Sequence, residues 1–251
     1  MATEAPLPAV TPAPSSRAQA IVRELLSLGR PTERTGRRFL GALLVVDLAF
    51  IAVFVTYAFA EHYGMRDSLF HGNVKFSFVD GSYPEIYGYA KEIFLTVLFV
   101  AAYSMGRQIV YLALALLFAI CALDDSLALH EATGRYLAAT IGVSQSAGGL
   151  IGWSLLGSVP MLAILAAYRR SDPTSRRHAE AILLAFAILL FFAVGMDLVH
   201  AVVQRYVSGF QTVLTILEDG GELLTLTLLC TMSLAIVRFS AHPAVVSPPG
   251  P

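Results

Sequence analysis

Charge is scarce in this chain. Aspartate, glutamate, lysine and arginine make up only 14% of its 251 residues, against 56% hydrophobic residues, and mean hydropathy is +0.68. A sequence so poor in charge cannot cover the surface of a soluble domain. The net charge of -1 points to no nucleic-acid partner. Cysteine is scarce too: Cys121 and Cys230 both fall in apolar runs, where thiols act as small fillers, and no disulfide is expected. Alternation of polar and apolar residues is missing, which excludes an outer-membrane barrel. The first 38 residues hold no apolar core of signal-peptide length, so no cleavable signal is expected. An internal repeat is also absent.

What is present is a series of six continuous apolar runs, approximately 39 to 60, 86 to 105, 109 to 131, 148 to 168, 179 to 204 and 211 to 238. Each has about the 20 residues that cross roughly 30 Å of hydrocarbon as a helix. The fold class expected is all-α, an integral membrane bundle of six transmembrane helices with both termini cytoplasmic. Under that topology twelve arginines lie inside, while Arg66, Lys75, Lys91, Arg135 and Arg205 lie outside, an asymmetry that obeys the positive-inside rule. The organisation is then a cytoplasmic leader over 1–38, a transmembrane domain over 39–238 and a short, disordered cytoplasmic tail over 239–251. The leader begins as a Pro/Ala-rich disordered stretch and continues as a short amphipathic helix with a capping box at Ser16 and Gln19, suited to an anionic inner leaflet. Location in the inner (plasma) membrane and contact with its lipids follow as expectations.

Against this apolar background the ionisable residues stand out. LDDSLALHE, Leu123 to Glu131, holds two aspartates, a histidine and a glutamate at the end of the third span. In a continuous helix Asp124 and Glu131 share one face, while Ser126 and His130 share another. GMDLVHAVV in the fifth span sets Asp197 three residues before His200, and ILEDGGELL in the sixth sets Glu218 one turn before Glu222, with Asp219 beside it. Glu92 and Glu85 add acids at the second span. Helix directions bring all of these to the outer part of the membrane at similar heights. Asp47 stands apart in the first span and is expected to make a structural hydrogen bond. The 61–85 loop, rich in aromatics, reads as a membrane anchor or a lid. Gly148 and Gly152 have the spacing of close helix packing, and Pro160 marks a potential kink.

Two like charges about 4 Å apart repel by roughly 4 kcal/mol at an effective dielectric near 20. Seven such carboxylates on three helices therefore need protons, water or a cation between them. Asp-x-x-His with Glu-x-x-x-Glu presents donors as inward-facing ligands do in helical carboxylate metal sites, and this mixture of imidazole and carboxylate suits zinc, iron or manganese. The metal ligands expected are Asp124, His130, Glu131, Asp197, His200, Glu218 and Glu222. Asp125 or Asp219 would serve as general base to a metal-activated water, with Ser126 a further catalytic candidate, and the substrate would be a lipid or amphiphile. Two other readings remain open: a proton- or cation-coupled transporter or channel using the same acids, and a structural or assembly protein whose polar network fixes packing.

The combination of Leu123-Asp124-Asp125 with His130-Glu131, followed by Glu218-Asp-Gly-Gly-Glu222, resembles a group of uncharacterised bacterial multi-spanning membrane proteins. Asp80 to Glu92, DGSYPEIYGYAKE, is similar to the segment preceding their second span. That resemblance brings no activity with it. Ser126-Leu-Ala-Leu-His130 is similar to the Ser-x-x-x-His motif of the superfamily of alkaline ceramidases and progestin/adiponectin receptors, membrane hydrolases that bind zinc through three histidines. Their aspartate on a later helix is matched by Asp197. Their final His-x-x-x-His is replaced here by Glu218-x-x-x-Glu222, and their seven spans by six.

Overall fold

Ser16 and Gln19 form the capping box that the sequence predicts: the Ser16 hydroxyl accepts from the Gln19 N–H at 3.3 Å, and the Gln19 side chain accepts from the Ser16 N–H at 3.0 Å. They start α1, Arg17–Gly29, in a computed structural model that describes residues 16–196, 198–199, 203 and 210–241. The stretches expected to be disordered, 1–15 and most of the 239–251 tail, lie outside the described residues. Helix α1 does not simply lie on a leaflet. It packs on two later helices, burying Leu28 in the core, and Arg17 pairs with Glu180.

The helices that follow are α2 (Arg34–His62), α3 (Tyr83–Gly106), α4 (Ile109–Leu127), α5 (Leu129–Ile141), α6 (Gln145–Arg170), α7 (Pro173–Leu190) and α8 (Gln211–Ala241). A π-helical turn, Phe191–Met196, extends α7. Six of these, α2, α3, α4, α6, α7 with its π turn, and α8, are long and apolar enough to cross a membrane. Among the described residues there is no strand. The chain is an all-α, multi-pass membrane bundle. Its helices alternate in direction, so the bundle has a loop end, carrying residues 63–82 and α5, and an arginine end, carrying α1 and the α6–α7 connection.

Local chemistry sets the boundaries. Pro84 occupies the first turn of α3, and Arg107, with φ 54°, ends that helix in the left-handed region. Asp172 caps α7, accepting from the Thr174 and Ser175 N–H groups at 2.8 and 2.9 Å, with Pro173 in the first turn. Burial acts to raise the Asp172 carboxyl, but these bonds outweigh it and hold the group below its ordinary 3.8. A folded-state value below the unfolded one means that the contribution is complete above pH 3.8 and is lost as pH falls through the lowered value. Asp172→Ala is therefore expected to lower stability by about 1 kcal/mol at neutral pH. The gap should narrow only in acid, as thermal unfolding at several pH values will show. Pro160 lies within α6 without ending it.

At the centre, α8 touches α1, α2, α3 and α7, and α3 is held between α4 and α8. The core these helices share, towards the arginine end, is apolar: Phe99, Leu114, Phe118, Ile182, Leu229, Met232 and Ile236 are fully buried, with Phe99 stacked on Phe118 at 5.7 Å. Helices α5 and α6 approach until only hydrogen fits between them. A Cβ on Gly134 would lie 2.6 Å from the Gln145 carbonyl oxygen, and one on Gly148 would lie 2.9 Å from that of Gly134. The 63–82 loop is ordered by its own contacts: Phe78 packs on Phe54 of α2 at 4.7 Å, and Lys75 donates to the Gly81 carbonyl at 2.7 Å.

Candidate functional site

The third span is not continuous. Helix α4 ends at Leu127, and Ala128 adopts φ 49°, a left-handed conformation that costs an L-residue roughly 1–2 kcal/mol. The break reorients everything after it. The Asp124 carboxylate, 2% exposed, accepts from the His130 N–H at 2.8 Å and lies 3.0 Å from the His130 Nδ1. One carboxylate thus starts α5 and fixes its half-buried imidazole through Nδ1, with no hydrogen bond at Nε2 among the described residues. The shared face expected for Asp124 and Glu131 is consequently not formed. Glu131 instead makes a surface pair with Arg135 at 3.2 Å. The Ser126 hydroxyl donates back to the Ala122 carbonyl at 2.6 Å, without engaging His130.

The acids that do converge are centred on Glu92 of α3. Its side chain is 3% exposed and its carboxyl is within hydrogen-bonding reach of Asp125, with Glu222 and Asp124 in electrostatic range. Its Oε2 atom is buried without a hydrogen-bond partner among the described residues. A hydrogen bond between two carboxyl groups requires one of them to carry a proton. Glu222 lies in turn within range of Asp219, Glu218 and Glu85, and the Tyr89 hydroxyl reaches Glu85. Three helices, α3, α4 and α8, therefore bring acids within electrostatic range of one another near the loop end. Asp125 keeps an exposed flank there, which connects the cluster to the surroundings.

Lys91, assigned to the outside by the positive-inside pattern, is buried at mid-bundle. Its ammonium contacts Asp47 Oδ1 at 2.5 Å, donates to the Leu223 carbonyl at 2.9 Å and sits 4.4 Å from the Tyr87 ring centre. Asp47 is fully buried, and its second oxygen accepts from Thr227 at 2.6 Å. The expected hydrogen-bonding role of Asp47 is thus part of an ion pair joining α2, α3 and α8. Consecutive residues Lys91 and Glu92 point to different neighbours, one toward Asp47 and one toward Asp125. Lys91 falls inside the predicted 86–105 span, and that position was the available signal for its burial.

The glycines of EDGGE serve packing. A Cβ on Gly221 would lie 2.3 Å from the Phe192 ring, and one on Gly220 would lie 3.3 Å from Ile51. Phe192 belongs to the π turn, an element often found near functional sites. Asp197 and His200 follow that turn and lie outside the described residues. Among the described residues, no three His, Cys, Asp or Glu side chains are gathered as a metal ion would require. The acids Glu92, Asp125 and Glu222 can be balanced by a shared proton or by a cation.

A second polar network lies at the arginine end. His178, 3% exposed, has its Nδ1 2.8 Å from the Tyr111 hydroxyl and its Nε2 3.5 Å from Glu24 of α1. The Tyr111 hydroxyl donates to Ser175 at 3.1 Å, and Ser175 donates to Asp172 at 2.8 Å. The sequence reading missed this buried histidine because it began the fifth span at 179, although Asp172-Pro173 signals an earlier start. Between this network and Asp47 lies the apolar core around Phe99 and Phe118.

A family model described as Domain of unknown function (DUF8692) matches residues 42–236. No curated protein and no solved structure matches the chain.

Proposed function

The chain belongs to the DUF8692 family, whose description assigns no activity, and from its geometry we propose a proton-coupled transporter of the inner membrane with both termini cytoplasmic. The observation that carries this reading is Glu92, a buried carboxyl within hydrogen-bonding reach of Asp125, in electrostatic range of Glu222 and with one oxygen unpartnered among the described residues. Carboxyls brought together from three helices, Glu92 buried among them, are eased by sharing protons, and exchanging those protons is the elementary step of coupling. Asp125, with its exposed flank, admits protons from the loop end. Glu92 and Glu222 store them, and the Lys91–Asp47 pair lies next inward. The His178 network supplies a buried titratable group at the arginine end, which the sequence alone did not offer. The closed apolar core between the two networks acts as the barrier that alternating access must open.

The test is proton flux in vesicles holding the purified full chain, read with a trapped pH dye. The parent should acidify the lumen under an imposed gradient, and Asp125→Asn should reduce the rate by about tenfold or more. Rates equal to those of empty vesicles for the parent would overturn the reading.

A second reading rests on one observation, the Asp124–His130 pair. A carboxylate that holds a histidine by Nδ1, with Nε2 not hydrogen-bonded among the described residues, is the usual support for a metal-binding imidazole. Under this reading Asp197, His200 and Glu222 would complete a site for zinc, iron or manganese, and a lipid would be hydrolysed. Metal analysis of purified protein decides it: stoichiometric metal lost in His130→Ala supports hydrolysis, and metal-free parent protein sinks it.

A further inference from the structure

The lipid-facing side of α3, α4 and α6 contains a cavity of about 510 Å³ at the arginine end of the bundle. Its wall is formed by small and aliphatic side chains, among them Val100, Leu112, Leu116, Ala119 and Ala166, and among the described residues the polar ones lining it are Thr96 and Arg170. It runs along α4 from Ile109 to Ala119, eleven residues spanning about 15 Å of helix. That is half the roughly 30 Å hydrocarbon thickness, the depth reached by an acyl chain of one leaflet. The volume falls within the roughly 300–1,000 Å³ of small-molecule sites.

The mouth of the cavity is positively charged in two independent ways. Arg170, in the last turn of α6, makes no ion pair or hydrogen bond among the described residues. Beside it is the N-terminus of α4, whose cap residue Gln108 makes no side-chain capping bond, because that side chain accepts from the Asp172 N–H instead. Unmet N–H groups and the positive end of a 19-residue helix favour an anion, as does the guanidinium. An apolar trough about half a hydrocarbon thickness long, opening on a guanidinium that is unpaired among the described residues, matches one class of molecule.

We propose that this cavity is a specific site for an anionic phospholipid of the cytoplasmic leaflet, with one acyl chain against the alanines of α4 and α6 and the phosphate on Arg170 and the α4 N-terminus. The site is separate from the acidic cluster, and it stands or falls independently of proton coupling. Bound lipid would tie α4 to α6 on the side opposite α8.

Delipidated full-length protein in detergent, mixed with phosphatidylglycerol or phosphatidylcholine and examined by native mass spectrometry, tests this directly. The parent should retain one phosphatidylglycerol in preference to phosphatidylcholine. Arg170→Gln should weaken phosphatidylglycerol retention about fivefold and leave phosphatidylcholine unchanged, as expected for one basic group near a membrane surface. Ala166→Trp, at an exposed position on the cavity rim, should weaken both lipids by filling the trough. Both variants should unfold at the parent's temperature in lipid-free detergent, since neither position is buried. Glycerol phosphate, which has the anion without the chains, should not displace the lipid. Four results would each overturn the proposal: equal retention of the two lipids, no effect of either variant, displacement by glycerol phosphate, or a parent dimer that Ala166→Trp splits into monomers.

Discussion

Lys91→Met is expected to destabilise the bundle by about 3–5 kcal/mol, the usual result of leaving a buried charge without its partner. Asp47 is fully buried and takes one bond from Lys91 and one from Thr227. After the substitution a carboxylate at mid-bundle would retain only the hydroxyl. Asp47→Leu should be comparably damaging, because it strands the ammonium between the Leu223 carbonyl and the Tyr87 ring. The double variant should recover most of the loss, since replacing a whole buried pair by apolar residues is often neutral or stabilising. Detergent unfolding of the four proteins in a double-mutant cycle reads the coupling. Additive losses would mean that the two residues do not act as a pair.

Glu92→Leu should separate function from stability. Proton flux in vesicles is expected to fall by about 10²-fold or more, because the buried carboxyl that has both Asp125 and Glu222 in range is gone. Stability should hold or rise by about 1–3 kcal/mol, since a buried acid with one oxygen unpartnered among the described residues is replaced by a side chain suited to its surroundings. That opposition is characteristic of a group retained for function. A stability loss with unchanged flux would assign Glu92 to packing instead. The contrast with Lys91 is informative: two adjacent residues, both nearly inaccessible, are predicted to respond in opposite directions because one has its counterion and the other has only acids.

Much of this was legible in the sequence, for identifiable reasons. Six runs of membrane-crossing length appear as six long helices because hydropathy over 20 residues outweighs any local preference. The common height of Glu92, Asp125 and Glu222 followed from helix directions alone, and Asp125 and Glu222 lie in electrostatic range of Glu92. The break at Ala128 was not legible, since left-handed residues announce themselves as glycine or asparagine and an alanine there gives no sign. That single dihedral removes Glu131 from the cluster and turns His130 back onto Asp124. The Lys91–Asp47 pair was missed for a different reason. Counting basic residues by side of the membrane assumes that each reaches water, and Lys91 does not. The docking of α1 through Leu28 and Arg17 depends on the partner surfaces of α7 and α8, which no local pattern specifies.

The central claim is that acids from α3, α4 and α8 form one proton-sharing cluster, and infrared difference spectroscopy of the protonated-carboxyl band during a pH titration tests it most directly. Coupled groups titrate together, so Glu92→Gln should both remove intensity and move the titration of the bands that Asp125→Asn and Glu222→Gln identify. If each substitution removes one band and leaves the others titrating as in the parent, the carboxyls are independent and the account is wrong.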